Sequence, residues 1–217
     1  MVVAGDINVH ARGVEWANEA FSCPVIYVCG NHEFYRGHID YTLTKIRRSA
    51  DQHVQVLENE SLIIDGVRLL GGTGWTDFTA TDNAYFAASA AAEQMNDYRL
   101  IRAGSNFRRL RPADVIGRNI ATRVFLEREL AAGFEGKTVV ITHHCPVPEA
   151  AGDLDEGDLG AAYYNRWHSL VSQADAWIFG HAHTSVDFKL GDCRLVSNPR
   201  GYPGEPVHFD HLKMIET

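Results

Sequence analysis

Hydrophobic and polar positions along this chain fall into short blocks whose period changes repeatedly, and each block predicts an element. Val2-Val3-Ala4 is an apolar run closed by Gly5-Asp6 and reads as a buried strand. Helical spacing follows over about 14–21. Val25-Ile26-Tyr27-Val28-Cys29 is then a second buried strand, stopping at Gly30-Asn31-His32-Glu33. Strand, helix and strand, with polar residues at both strand ends, make the pattern of a βαβ unit. Ile39, Leu43 and Ile46 share one face of a helix over about 38–50. Between 61 and 71 two strands are joined by Asp65-Gly66, a strong tight-hairpin pair.

An alanine-rich stretch, 84–100, and a segment that Pro112 can start and that runs towards 132 predict a pair of helices. They read as a helical layer or cap-like insertion, at about 84–132, laid over the sheet. The β-branched strand 137–141 ends in Thr142-His143-His144-Cys145-Pro146. After a helix near 164–172, the strand 176–179 runs into Gly180-His181-Ala182-His183. The tail alternates through 186–190, turns at Gly191-Asp192, and returns over 194–197 to Asn198-Pro199-Arg200-Gly201-Tyr202. No repeat, low-complexity tract or linker breaks the chain, so a single α/β domain over 1–217 is expected.

Composition narrows the function more than the fold. The 217 residues, 45% of them hydrophobic, suffice for one sizeable core. With 28 acidic and 20 basic residues the formal charge is -8, which argues against a broad grip on nucleic acid or an anionic membrane. Nucleic acid stays open only as a substrate, because bound cations would reverse the local field around a phosphate. Cys23, Cys29, Cys145 and Cys193 are scattered, without a CxxC pair, and no apolar run approaches the roughly 20 residues of a membrane span. A cytoplasmic protein is expected. The acidic run 152–158 lacks the closing glutamate of a calcium loop and reads as a surface turn.

In open α/β sheets ligands gather beyond the carboxyl ends of the strands. Asp6, Asn31, His32, His143, His144, His181 and His183 all stand there. One carboxylate, one amide oxygen and several imidazoles suit manganese, iron, zinc, cobalt or nickel better than calcium. Each cluster alone has a plainer explanation: a Gly-Asp turn, a left-handed Gly-Asn turn, a core histidine with its hydrogen bonds satisfied. Four clusters at four strand ends are hard to produce by turn chemistry alone.

Gly5-Asp6, Gly30-Asn31-His32-Glu33, Thr142-His143-His144 and Gly180-His181-Ala182-His183 resemble, in order and over nearly the whole chain, the motifs of the calcineurin-like metallophosphoesterase superfamily. The resemblance implies a four-layer α/β/β/α sandwich. It also implies metal-dependent hydrolysis of phosphate mono- or diesters by a hydroxide bridging two divalent cations. Asp6 would bridge the two, Asn31, His143 and His181 would complete one site, and His183 would serve the other. His32 would hydrogen-bond a phosphate oxygen and protonate the leaving alkoxide, with Glu33 as its carboxylate partner. Arg200, in a segment that similar proteins carry after Gly-His-x-His, would grip phosphate through two hydrogen bonds. His143 is preferred to His144 as the ligand, leaving His144 to orient a ligand or touch substrate.

The superfamily opens with a strand ending in Asp-x-His, and the sequence shows no counterpart ahead of Val2. The expectation is a sandwich lacking its first strand, with Asp6 and His183 alone at a weak or empty second metal position. An exposed sheet edge would then offer a route to a homodimer. A truncated, non-catalytic metal- or phosphate-binding protein of the same fold is the rival reading. His10 reads as an exposed loop histidine rather than a replacement ligand. The segment 95–99 reads as helix packing around a salt-linked Asp97 rather than as a lid, and Trp75 and Trp177 read as core aromatics.

Overall fold

The computed structural model describes residues 1–152 and 157–216; Asp153, Leu154, Asp155 and Glu156 of the acidic run lie outside the described residues. β1 (Val2–Ala4), α1 (Arg12–Ala20) and β2 (Val25–Val28) form the expected βαβ unit, its strands parallel with Val3 level with Tyr27. α2 (Ile39–Ser49) starts where the His38 ring accepts a hydrogen bond from the Asp40 amide. It leads into β3 (Val54–Leu57), a strand the hydrophobic pattern did not announce, which pairs parallel with β2. The three make one sheet in the order β1-β2-β3.

β4 (Glu60–Ile64) and β5 (Val67–Gly72) are the predicted hairpin. Asp65 and Gly66 have φ of 49° and 79°, the double positive φ that the tightest hairpin turn requires. α3 (Ala84–Gln94), α4 (Asp97–Leu100), the tiny pair β6 (Arg102–Ala103) and β7 (Arg108–Arg109), and α5 (Pro112–Ala131) follow. β8 (Lys137–Thr142), α6 (His168–Val171), β9 (Ala176–Phe179), β10 (Val186–Leu190) and β11 (Cys193–Ser197) complete the chain. The second sheet runs β10-β11-β9-β8-β5-β4. Its inner strands β11, β9, β8 and β5 are parallel, and an antiparallel strand closes each edge.

Three apolar clusters fix the layers. Ile26, Val28 and Leu57 of the small sheet meet Val139, Ile141 and Ala176 of the large one, so the sheets pack face to face. Val14, Ala17, Ile46, Ala87 and Ala91 of α1, α2 and α3 cover the outer face of the small sheet at Val25 and Tyr27. Leu126, Leu130 and Leu170 of α5 and α6 cover the large sheet at Val140, Trp177 and Leu195. Each valine, leucine or isoleucine among them contributes about 1.5–3 kcal/mol through burial. The result is a four-layer α/β/β/α sandwich, and the stretch 84–131 divides between its two outer layers. Trp75 and Trp177 are core residues as expected. Among the described residues no helix is long and apolar enough to cross a membrane.

Candidate metal centre

Four strands carry their polar ends to one edge of the sandwich: β1 and β2 from the small sheet, β8 and β9 from the large. Their loops approach so closely that two positions must lack a side chain. Gly5 has φ of 87°, and a Cβ there would stand 2.5 Å from the Gly30 nitrogen and 2.6 Å from His143 Nδ1. A Cβ on Gly30 would run into the Asp6 carboxylate. Asp6, His181 and His183 hold φ of 59°, 63° and 51°, a left-handed backbone that costs a side-chain-bearing residue energy and persists where surrounding contacts enforce it.

His143 shows how the centre is wired. Its Nδ1 donates to the Ala4 carbonyl at 2.7 Å, which in the neutral ring leaves Nε2 with a bare lone pair. That nitrogen lies 3.1 Å from Asn31 Oδ1, 3.1 Å from His181 Nδ1 and 3.3 Å from Asp6 Oδ2. The ligating atoms of Asp6, His143 and His181 all fall within 4.8 Å of one another. Lone-pair donors converging at this spacing repel unless something positive sits among them. A divalent ion about 2.0–2.2 Å from each fits the set, and the mixture of one carboxylate, one amide oxygen and two imidazoles suits a borderline metal.

The surroundings favour positive charge at this point. Burial works against ionised Asp6, but His143 and His32 outweigh it and bring its pKa down to about 2. Burial likewise opposes a charged His143, while Asp6 and the Ala4 carbonyl push its pKa up. Burial, then the neighbouring histidines His144 and His143, holds His181 neutral. Burial and His143 bring His144 down to about 3.

Other site residues depart from expectation. Glu33 is not the partner of His32. Its fully buried carboxylate accepts from the amides of Asp6 (3.0 Å), Ile7 (3.0 Å) and Gly30 (2.8 Å) and from the Tyr27 hydroxyl (2.7 Å), tying the first two loops together. His32 instead stacks on Tyr35, with centroids 4.4 Å apart, and donates its amide to Asp6 Oδ1 at 2.9 Å. Its Nε2 lies 3.2 Å from the Tyr202 hydroxyl and 3.7 Å from Asp6 Oδ2. His144 is buried, bonded through Nδ1 to the Thr73 carbonyl at 3.2 Å, with its ring 4.2 Å from that of His181. It props the ligand ring.

His183 stands apart from the three-residue cluster and bonds through Nδ1 to Glu205 at 2.8 Å. Arg200 is exposed, and the loop that carries it brings Tyr202 to His32 and Glu205 to His183. His10 is not a free surface residue, since its Nε2 meets the Tyr35 carbonyl at 2.8 Å. Asp97 is not held by an arginine; Oδ1 accepts from Asn31 Nδ2 at 2.8 Å. Tyr35, Asp97, Tyr202 and Glu205 escape sequence reasoning as site residues: Tyr202 ends the segment in which only Arg200 stood out, and the other three lie outside the strand-end motifs.

Comparison with known proteins agrees with this fold. The profile of the calcineurin-like phosphoesterase family matches residues 1–185. An uncharacterized protein of Acanthamoeba polyphaga mimivirus is 22% identical over 213 residues, covering 88% of this chain and 73% of the relative. The crystal structure of the phosphopantetheinyl hydrolase from Mycobacterium tuberculosis superposes with a TM-score of 0.69 at 19% identity, over 93% of this chain and 79% of that one. A putative 5'-nucleotidase from Staphylococcus aureus gives a TM-score of 0.51 at 16% identity; 91% of this chain is covered but only 39% of that one. At these identities the likeness to the two solved structures is one of fold.

Proposed function

Because the chain belongs to the calcineurin-like phosphoesterase family, whose members use divalent metals on phosphate esters, we propose that it hydrolyses phosphate mono- or diesters at a centre of two divalent cations. The observation that carries this reading is the convergence of Asp6, Asn31, His143 and His181 on one point. Metal-ligating histidines commonly donate their other ring N–H to a carboxylate or carbonyl. His143 does so to Ala4, and His183 is arranged to do so to Glu205, which supports His183 Nε2 as a ligand at the second position. Bound cations would neutralise phosphate charge and lower the pKa of water towards neutrality.

The remaining work falls to side chains. Asp6 has Oδ1 held by the His32 amide and Oδ2 turned to His143. His32 lies at the rim, part-exposed, its ring held by Tyr35 and its Nε2 directed at Tyr202. From there it can donate to a non-bridging phosphate oxygen and then to the departing alkoxide. Glu33 keeps the Asp6 and Gly30 backbones in register for this. Arg200 supplies an exposed cation on the solvent side, suited to a phosphate arriving from bulk water.

The test is hydrolysis of a chromogenic phosphomonoester and phosphodiester by metal-stripped protein, with and without added manganese, beside His143→Ala. Manganese-dependent turnover that His143→Ala loses supports the proposal. Manganese binding without turnover of either ester would replace it with a metal-binding role.

A further inference from the structure

Asp97 lies outside every motif, on the short helix α4, yet it reaches the centre. The residue is 3% exposed, and Oδ1 accepts the Nδ2–H of Asn31, 66 positions away in the chain, at 2.8 Å. Tyr35 closes the group: its hydroxyl accepts from the same Asn31 Nδ2 at 3.3 Å. On its other side Asn31 turns Oδ1 to within 3.1 Å of His143 Nε2.

An asparagine amide is nearly symmetric in shape, and rotation about its last bond exchanges oxygen and nitrogen. Only the oxygen can ligate a cation, so the site works in one of two orientations. An ionised carboxylate accepts hydrogen bonds and donates none, and one on the outer side of the amide holds the nitrogen outward. We propose that Asp97 is a positioning residue that locks the Asn31 amide with its oxygen facing the cation site. The inference rests on the metal-centre reading above. A structural explanation of Asp97 fares poorly, because an apolar side chain of similar size would fill α4's buried face without the cost of taking a carboxylate out of water.

The two accounts predict different behaviour. If Asp97 only filled space, substitutions would lower stability and leave cation affinity alone. If it orients Asn31, Asp97→Ala lets the amide rotate, and affinity falls about 10–100-fold, the range expected when a ligand's supporting partner is removed. Asp97→Asn keeps a carbonyl oxygen that can accept the same hydrogen bond, and it also ends the desolvation of a buried charge. It should recover most of the lost affinity with no fall in melting temperature.

The experiment is calorimetric titration of metal-stripped full-length protein with manganese, comparing parent, Asp97→Ala and Asp97→Asn, with a thermal melt of each. Asp97→Leu replaces Asp97→Ala if the smaller variant does not fold. Weak binding by the alanine or leucine variant with recovery by asparagine supports the proposal. Parent-like binding by Asp97→Ala overturns it. So does equal weakness in Asp97→Asn, which would assign the effect to charge rather than to amide orientation. A parent that binds no manganese refutes the metal-centre reading instead, so the two failures are distinguishable.

Discussion

Replacing Gly5 with alanine tests whether the first two strand-end loops and His143 are packed as closely as the structure shows. Two costs add. An L-residue held at φ of 87° is strained by about 1–2 kcal/mol relative to glycine. The new methyl would then stand 2.5 Å from the Gly30 nitrogen and 2.6 Å from His143 Nδ1, and relieving such overlap in a packed region costs about 1–3 kcal/mol more. The sum is about 2–5 kcal/mol, or roughly 4–20 °C in melting temperature for a chain of this size. Gly66 supplies the control. Its φ is 79°, yet nothing lies within 4 Å of its would-be Cβ, so Gly66→Ala carries the strain alone. Urea unfolding of parent and both variants, with m-values compared, separates the two terms. Manganese titration should show Gly66→Ala binding like the parent and Gly5→Ala binding more weakly, because relief pushes the His143 ring off the Ala4 carbonyl. Equal destabilisation in the two variants, or parent-like affinity in Gly5→Ala, would refute the close-approach argument.

Three further outcomes are expected. His181→Ala should lose metal measured by elemental analysis at a site that His183→Ala retains, since only the first residue belongs to the tight cluster with Asp6 and His143; equal metal contents in the two would overturn that ranking. Tyr202→Phe, which removes the hydroxyl 3.2 Å from His32 Nε2 and little packing, should alter kcat/KM and its pH profile at unchanged melting temperature; an identical profile would detach Tyr202 from the chemistry. Arg108, opposed by partial burial and helped by the Arg111 amide, holds the Asp114 carboxyl below its usual range at the start of α5. A depressed folded-state pKa stabilises above the unfolded value, so Asp114→Asn should melt lower than parent near pH 6–7, with the gap closing below about pH 4 as the parent's carboxylate protonates; a pH-independent gap would refute this.

The parts legible in the sequence are those fixed within a few residues. Gly5-Asp6, Gly30-Asn31 and the two histidine pairs sit where an apolar run stops, and both Asp6 and Asn31 face the centre. Asp65-Gly66 names its own turn. β3 escaped because four residues, a short turn after a helix, carry too little alternation to stand out. What holds the ligands escaped for another reason. Asp97 meets Asn31 and Glu205 meets His183 across separations of 66 and 22 positions, which only the packed fold decides. Glu33 belongs to the site, but its place beside His32 in the chain misleads about its role. The turn points its carboxylate back at the amides of Asp6, Ile7 and Gly30 rather than at the imidazole.

The four proposed ligands do not share a sheet. Asp6 and Asn31 follow β1 and β2, while His143 and His181 follow β8 and β9, so whatever grips all four acts as a rivet through the seam of the sandwich. Saturating it should therefore slow amide exchange at the ends of β2 and β9 together, although no hydrogen bond between strands joins their sheets. The same rivet would make the melting temperature climb with cation concentration long after the individual layers have packed, and stripping it would let the two halves breathe independently at that edge alone.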